Sequence, residues 1–104
     1  MPVTTLGGRD VHVDDEGFLT EYDEWDEDLA KVLATNINLD LTDDHWKTIR
    51  FVREDFKAQG ETPTVRRIAS VGGIDTKTLF QLFPKKPAKK VSYVAGVPKP
   101  HGCV

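Results

Sequence analysis

The spacing of apolar positions predicts two strands at the start of the chain and helices over the rest. Residues 4–13 alternate between apolar and polar side chains on either side of Gly7 and Gly8, a pattern typical of a β-hairpin. From residue 29 onward the apolar residues change to helical spacing. The acidic run before them suits a helix N-terminus, where carboxylates meet the positive end of the helix dipole.

The segment LTDDHWKTIRFVREDFKAQG carries the clearest helical period. Thr42 is a good N-cap, and Gly60 stands where a C-terminal cap would end the helix. One stripe of this helix consists of Trp46, Ile49, Val52, Arg53 and Phe56. The stripe predicts that this helix lies against the core.

Three shorter helices are predicted after it. Pro63 is expected at the first position of one, and Asp75 as the N-cap of the next, which Pro84 ends. A double-glycine turn joins these two into a helix-turn-helix-like pair. The last helix is predicted over Pro87–Ala95, with Gly96 stopping it.

Together these elements predict a mostly helical α+β fold, in which an N-terminal β-hairpin packs on a small helical bundle. The length of 104 residues suits one domain, and the chain has no internal repeat. Residues 1–96 are predicted to form this domain. Residues 97–104, VPKPHGCV, lack an apolar period and contain two prolines, so they are predicted to form a flexible C-terminal arm.

Composition and charge narrow the setting. The chain has neither a signal peptide nor an apolar run long enough to cross a bilayer, and it has one cysteine, which together favour a reducing cytoplasm and no membrane. Residues 1–45 carry thirteen acidic and two basic side chains, net −11, whereas residues 46–104 carry twelve basic and four acidic ones, net +8. Such asymmetry is typical of a docking or nucleic-acid face.

The single cysteine, Cys103, is the second residue from the end of the chain. A thiol at the tip of a mobile arm can enter another protein's active site, whereas a buried one cannot. Gly102 leaves room beside the sulfur, and Lys99 supplies positive charge that favours the thiolate. Composition alone does not separate this role from that of an incidental surface cysteine.

Other chemistry finds little support in the residues. One cysteine and three scattered histidines give no metal-ligand spacing, and no glycine loop could cradle phosphates, so neither a metal nor a cofactor is predicted. The helix-turn-helix-like pair offers few side chains that could read bases, and the chain is acidic overall with a net charge of −3. The pattern therefore does not favour DNA binding.

Several segments together resemble the DsrC/TusE family. The tail LFPKKPAKKVSYVAGVPKPHGCV is similar to the family pattern LFPxGPAK followed by AGxPKPxGCV. LTDDHWKTIRFVREDF resembles its L-[ST]-x-x-H-W helix, TPTVRR its short xPxVR helix, and DEGFLTEYDEW its glycine turn followed by tryptophan. The likeness extends over nearly the whole chain.

The resemblance implies a sulfur-relay protein, with Cys103 accepting and presenting sulfur as a persulfide. Such a carrier acts by transpersulfidation rather than as an autonomous enzyme. Its expected partners are sulfur-donor and sulfur-acceptor proteins, among them a tRNA-thiolation enzyme or dissimilatory sulfite reductase. Alternatives are an accessory, gamma-type protein of that reductase, or a regulatory binding module.

Two positions depart from the family pattern. Members that work with sulfite reductase have a second cysteine eleven residues before the last, where this chain has Ser92. Serine can form neither an internal disulfide nor a trisulfide, which favours a single-cysteine mode or a divergent paralogue. The glycine expected before PAK is Lys86.

The basic half of the chain supplies candidates for a docking face. Such a face would recognise the donor and acceptor and could also hold an anionic persulfide or sulfite adduct. Its candidate members are Arg66, Lys85, Lys89, Lys90 and Lys99. For most of these residues taken singly, a solvated surface position explains them equally well.

Overall fold

The computed structural model describes residues 3–100, so that Cys103 lies outside the described residues. The strands are β1 (Val3–Leu6) and β2 (Arg9–His12), followed by a short 3₁₀ helix at Tyr22–Glu24. The helices are α1 (Glu27–Asn36), α2 (Asp43–Gln59), α3 (Val65–Ser70), α4 (Thr76–Leu82) and α5 (Pro87–Ala95). The predicted mostly helical α+β fold is confirmed.

The hairpin forms where the alternating pattern predicts it. β1 and β2 pair antiparallel, from Val3 opposite His12 to Leu6 opposite Arg9. Gly7 and Gly8 join them with φ of 58° and 84°, and two consecutive positive φ values are what a two-residue turn between twisted strands requires.

Local side chains set the limits of α2. The backbone N–H of Thr42 donates to Nδ1 of His45 over 3.1 Å, which closes the first turn. Nε2 of the same histidine is 2.7 Å from the carbonyl of Leu82 and donates to it, so the start of α2 is bound to the end of α4. Gly60, in the left-handed conformation with φ of 78°, ends α2 as predicted.

The core lies between α2 and α5. Ile49 and Val52 of α2 and Val91 and Val94 of α5 are completely buried there. A second apolar cluster joins the hairpin to α1 and consists of Val11, Val13, Leu19, Leu29 and Leu33. Trp25 and Tyr93 pack against both clusters and so connect them.

The helix-turn-helix-like pair is present as α3 and α4, with one correction. Pro63 does not occupy the first helical position, because Thr64 is the N-cap of α3 and its hydroxyl accepts from the N–H of Arg67 over 3.2 Å. The predicted cap of α4 is confirmed, with Asp75 Oδ1 accepting from the N–H of Thr78 over 2.7 Å. Within residues 3–100, no helix is long and apolar enough to span a membrane.

Candidate functional site: the arm root and the lysine groove

The first residues of the predicted arm lie against the body of the protein. Val97 is completely buried, and the carbonyl of Pro98 accepts from the hydroxyl of Thr62 over 2.7 Å. Lys99 Nζ is 3.2 Å from the Glu16 carboxylate. We call residues 97–100 the arm root, and it leaves the bundle along a defined path. The predicted mobility of the arm beyond this root concerns residues 101–104, outside the described part of the chain.

The end of α5, immediately before the arm root, is bound by two side chains from other elements. Trp25 Nε1 donates to the carbonyl of Val94 over 2.8 Å. Arg53 Nη1 donates to the carbonyl of Ala95, also over 2.8 Å. The last carbonyls of a helix have no partner within the helix. These two bonds therefore satisfy backbone groups and fix the end of α5 at the same time.

The Arg53 guanidinium lies against two aromatic rings. Its central carbon is 3.8 Å from the ring centroid of Tyr22 and 4.0 Å from that of Trp25. Nη2 also donates to the Tyr22 carbonyl over 3.2 Å. Burial lowers the pKa of Arg53, while the negative charge of Asp23 opposes that shift, and an arginine so placed stays charged. We call Trp25 and Arg53 the α5 clamp.

Gly96 is required where α5 meets the arm root. Its φ of 70° is left-handed, and a Cβ built on it would lie 2.4 Å from Cδ1 of Trp25. The glycine therefore allows both the turn that ends α5 and the close approach of the clamp tryptophan.

A groove of about 540 Å³ lies at the other end of α5. Four lysines line it: Lys85, Lys86, Lys89 and Lys90. Its apolar lining comes from Phe18, Ile37 and Tyr93, and its one carboxylate is Glu16. Because Glu16 is the partner of Lys99, this lysine groove and the arm root meet at that ion pair.

The two lysines before α5 have an unusual backbone. Lys85 has φ of 61° and Lys86 has φ of 51° with ψ of 60°, so both are left-handed without being glycine. For a residue with a Cβ, the left-handed conformation is less favourable than the right-handed one by roughly 1–2 kcal/mol. The glycine that the family pattern has at position 86 would adopt it without strain. This chain has a lysine there instead, which adds a fourth charge to the groove.

The structure thus brings together four of the five basic residues predicted for a docking face. Lys85, Lys89 and Lys90 line the groove, and Lys99 adjoins it through Glu16. Arg66 is exposed on α3 and is not part of the groove lining.

The neighbour of Arg66 has a structural role. Arg67 Nε and Nη2 donate to the Asp55 carboxylate over 2.7 and 2.8 Å, binding α3 to α2. The side chain of Asp55 is only 6% exposed and that of Arg67 is 38% exposed, so the pair is a half-buried contact between helices. This arginine is therefore occupied within the fold.

Ser92 is completely buried on α5. Its hydroxyl donates to the Ala88 carbonyl, one turn earlier on the same helix, over 2.6 Å. The position at which the resemblance places a second cysteine in members that work with sulfite reductase therefore lies inside the bundle in this chain. Among residues 3–100, no group of three metal-binding side chains lies close enough to hold an ion.

The comparisons with known proteins identify the family. A family model described as "DsrC like protein" matches residues 5–104. The chain belongs to the DsrC/TusE sulfur-relay family. The "Sulfurtransferase TusE" of Escherichia coli (strain K12) is 35% identical over an alignment of 104 residues that covers 93% of this chain and 95% of that protein.

Solved structures of the DsrC/TusE family have the same fold. The NMR structure of Allochromatium vinosum DsrC is 37% identical, with a TM-score of 0.80 over 98% of this chain and 97% of that one. The crystal structure of the oxidized gamma-subunit of the dissimilatory sulfite reductase (DsrC) from Archaeoglobus fulgidus is 35% identical. Its TM-score is 0.77, over 99% of this chain and 100% of that one.

Sequence reasoning missed the α5 clamp and the apolar lining of the groove. The sequence pattern puts Arg53 in the stripe of α2 that is predicted to lie against the core, and by the same pattern Trp25 is interpreted as an ordinary core residue. The available signal was a charged residue at an apolar stripe position, since a buried guanidinium needs acceptors nearby. The contacts of Phe18 with Tyr93, with ring centroids 5.7 Å apart, join distant segments and leave no local signature.

Proposed function

We propose that this protein is a sulfur carrier that accepts and presents sulfur as a persulfide on Cys103. The observation that carries the proposal is family membership together with the penultimate cysteine in the tail pattern AGVPKPHGCV. The protein would be a relay component of the sulfurtransferase type rather than an autonomous enzyme. It needs neither a cofactor nor a metal for this chemistry.

The reaction is a thiol exchange at sulfur. The Cys103 thiolate attacks the outer sulfur of a donor persulfide, and the bond between the two donor sulfurs breaks. The donor leaves as a thiolate with the electron pair of that bond, and Cys103 becomes a persulfide. The same exchange, with an acceptor thiolate as the attacking group, delivers the sulfur onward. No net oxidation or reduction takes place.

The geometry of the arm root supports this role. A carrier thiol must reach into a partner, yet it must start from a reproducible place on the carrier. The α5 clamp and the Thr62 hydrogen bond hold the chain up to Pro98. Cys103 is five positions beyond Pro98, and a fully extended chain would span about 17 Å over that number of positions.

Ser92 supports a cycle that uses one cysteine. Its hydroxyl is bonded within α5 and completely buried, and it offers no thiol for an internal disulfide. The sulfur on Cys103 must therefore leave to a thiol of another molecule. We propose the cytoplasm as the compartment, because a free thiol carrier needs reducing surroundings.

The proposed partners are a sulfur-donor and a sulfur-acceptor protein. The names of the relatives indicate two candidate settings: the sulfurtransferase of Escherichia coli suggests a sulfur relay, and the gamma-subunit of Archaeoglobus fulgidus suggests dissimilatory sulfite reductase. For the first setting, the family resemblance of the sequence implies tRNA thiolation as the destination of the sulfur. The lysine groove and Lys99 are proposed as the docking face, because they lie next to the arm root. Arg66 would contribute only to a partner large enough to extend as far as α3.

The test is intact-protein mass spectrometry after incubation with inorganic polysulfide or with a cysteine desulfurase and cysteine. We expect a gain of one sulfur atom that a reductant removes. Cys103→Ala should show no gain and should unfold at the same denaturant concentration as the wild type. Ser92→Ala, the matched control, should gain sulfur as the wild type does.

Two results would contradict the proposal. One is a wild-type protein that gains no sulfur from either donor. The other is a Cys103→Ala variant that still gains sulfur, since no other thiol exists in the chain.

A further inference from the structure

The lysine groove combines an unbalanced positive charge with an apolar lining. Lys85, Lys86, Lys89 and Lys90 line it, against the single carboxylate of Glu16. Lys99 neutralises that carboxylate at 3.2 Å from outside the groove lining. Within residues 3–100, no ion pair engages any of the four groove lysines. The groove is therefore a concave surface that attracts negative charge.

The four lysines lie close together in sequence, around the start of α5. Lys86 is the N-cap of α5, Lys89 and Lys90 lie in its first turn, and Lys85 immediately precedes the cap. Lys90 donates to the carbonyl of Pro84, which ties its stem across the start of the helix. Left-handed backbone at two consecutive lysines is a strained arrangement, and strain of this kind concentrates at ligand clamps.

The apolar lining restricts what the groove can bind. Ile37 and Tyr93 are half-buried, and Phe18 is 2% exposed with its ring edge-to-face with that of Tyr93. A small inorganic anion could pair with the lysines but has no apolar surface to pack against this lining. An apolar side chain between carboxylates would cover it and meet the lysines at once.

The same lining argues against a nucleic acid as the occupant. Bases bind to proteins by stacking on open aromatic faces, whereas of the two aromatic residues in the lining Phe18 is almost completely enclosed and Tyr93 is half-buried. A polyanion would also approach a molecule whose net charge is −3 and whose residues 1–45 alone carry −11. A short acidic segment meets only the local positive field.

We propose that the lysine groove is a docking site for an acidic segment of a partner protein, in which carboxylates flank one apolar or aromatic side chain. This proposal rests on the proposed carrier function, since it names the chemistry by which the partner of the Cys103 arm is recognised. Binding there would place the partner beside Glu16 and Lys99, at the arm root. Its affinity depends on surface charge, so it should be sensitive to salt.

The test uses the full chain and a fluorescein-labelled peptide in which a pair of glutamates stands on each side of one phenylalanine. We expect saturable binding by fluorescence anisotropy at an ionic strength of about 10 mM, and weaker binding at about 150 mM, where the Debye length falls from about 30 to about 8 Å. Replacing the glutamates by glutamines, or the phenylalanine by glycine, should weaken binding in each case.

Charge reversal in the groove supplies the decisive comparison. Lys86→Glu with Lys89→Glu should weaken peptide binding by about tenfold or more, since charges of like sign then meet. Lys47→Glu with Lys57→Glu, the matched control, reverses two exposed lysines of α2 that do not line the groove, and should change binding less than about twofold. Circular dichroism spectra of all variants should coincide with that of the wild type.

Three results would overturn the proposal. The first is a wild-type protein that does not bind the peptide at about 10 mM salt, or a double variant that binds it equally well. The second is tighter binding of an oligothymidylate of equal charge, which would assign the groove to single-stranded nucleic acid. The third is a dimer in sedimentation equilibrium that the double variant abolishes, which would assign it to a second copy of the chain.

The outcome is separable from that of the carrier proposal. Sulfur gain and peptide binding are measured separately on the wild-type protein, the first by mass spectrometry and the second by anisotropy. Cys103→Ala should bind the peptide as the wild type does. Loss of sulfur gain with intact peptide binding would refute the carrier alone, and the reverse result would refute the groove alone.

Discussion

The two ends of α5 differ in how the fold treats them. At the C-terminal end, the carbonyls of Val94 and Ala95 are each bonded to a side chain of the clamp, and Gly96 adopts the turn without strain. At the N-terminal end, Lys85 and Lys86 are exposed and hold left-handed conformations that disfavour them. The C-terminal end of α5 is fixed by hydrogen bonds, which also fixes the start of the arm root. The N-terminal end has a less favourable backbone and exposes two positive charges.

The difference separates two requirements of a protein that would hand over a group. The donor atom must start from a known position, which needs satisfied hydrogen bonds and close packing. Partner recognition needs accessible side chains, which solvent competes for. A single helix of nine residues serves both, because its C-terminal carbonyls are bonded to the clamp while two exposed lysines precede its first residue.

The largest expected effect is that of Gly96→Ala, which attacks the fixed end. The added Cβ meets Trp25 and the left-handed φ is disfavoured, so we expect a loss of about 3–4 kcal/mol in the free energy of unfolding. Urea denaturation followed by circular dichroism measures it.

Gly60→Ala is the matched control for Gly96→Ala. Gly60 is also left-handed, with φ of 78°, but no atom lies within 4 Å of the position of its Cβ. It should therefore lose only the conformational part, about 1–2 kcal/mol. Equal losses in the two variants would mean that contact with Trp25 does not hold the end of α5.

Arg53→Met is expected to have the next largest effect. It keeps most of the aliphatic stem but removes the donors to the Ala95 and Tyr22 carbonyls, and charged hydrogen bonds contribute about 1.5–3 kcal/mol each. The substitution also removes the cost of burying the guanidinium, which offsets part of that sum, so we expect a loss of about 2–3 kcal/mol in chemical denaturation. Faster amide exchange at Val97, measured by NMR, should accompany it if the clamp positions the arm root.

Arg50→Met on the same helix provides the comparison for Arg53→Met. Its guanidinium is 62% exposed and lies 3.7 Å from Glu27, a surface pair of little consequence. The expected loss is below about 0.5 kcal/mol. A loss at Arg50 as large as that at Arg53 would indicate a general effect of charge on α2 rather than a clamp.

The smallest effect is a gain in stability at the strained end. Lys86→Gly should raise the free energy of unfolding by about 1 kcal/mol, because glycine accepts φ of 51° without a steric penalty. Lys89→Gln removes one groove charge from ordinary helical backbone and should leave stability within about 0.5 kcal/mol of wild type. If Lys86→Gly destabilises the protein instead, the left-handed lysine is not strained.

Much of the fold was predictable because it depends on local signals. Thr42 and Gly60 limit α2, Asp75 begins α4, and Gly96 ends α5, each by a backbone or side-chain bond within a few residues. The prediction that Pro63 is the first residue of α3 was wrong, because the Thr64 hydroxyl caps the helix one residue later and α3 begins after it. The hairpin followed from its alternating pattern and paired glycines.

The candidate site was predictable only in part. Lys85, Lys89, Lys90 and Lys99 were identified as basic residues of a tail, and Cys103 by its position and by the resemblance of that tail to a family. Their grouping could not be foreseen, because Phe18 and Ile37 come to the groove from segments more than forty-five residues earlier. Arg66 was expected beside them and lies outside the groove lining.

By itself, the sequence determined the helices and most of their limits, the family and the single thiol near the end of the chain, since these depend on neighbouring residues or on a linear pattern. Tertiary structure decided that Trp25 and Arg53 bind the end of α5, that Lys99 joins Glu16, and that four lysines share one apolar groove. These contacts join residues dozens of positions apart. Their energy depends on distance and burial in the folded chain, and a linear pattern contains neither.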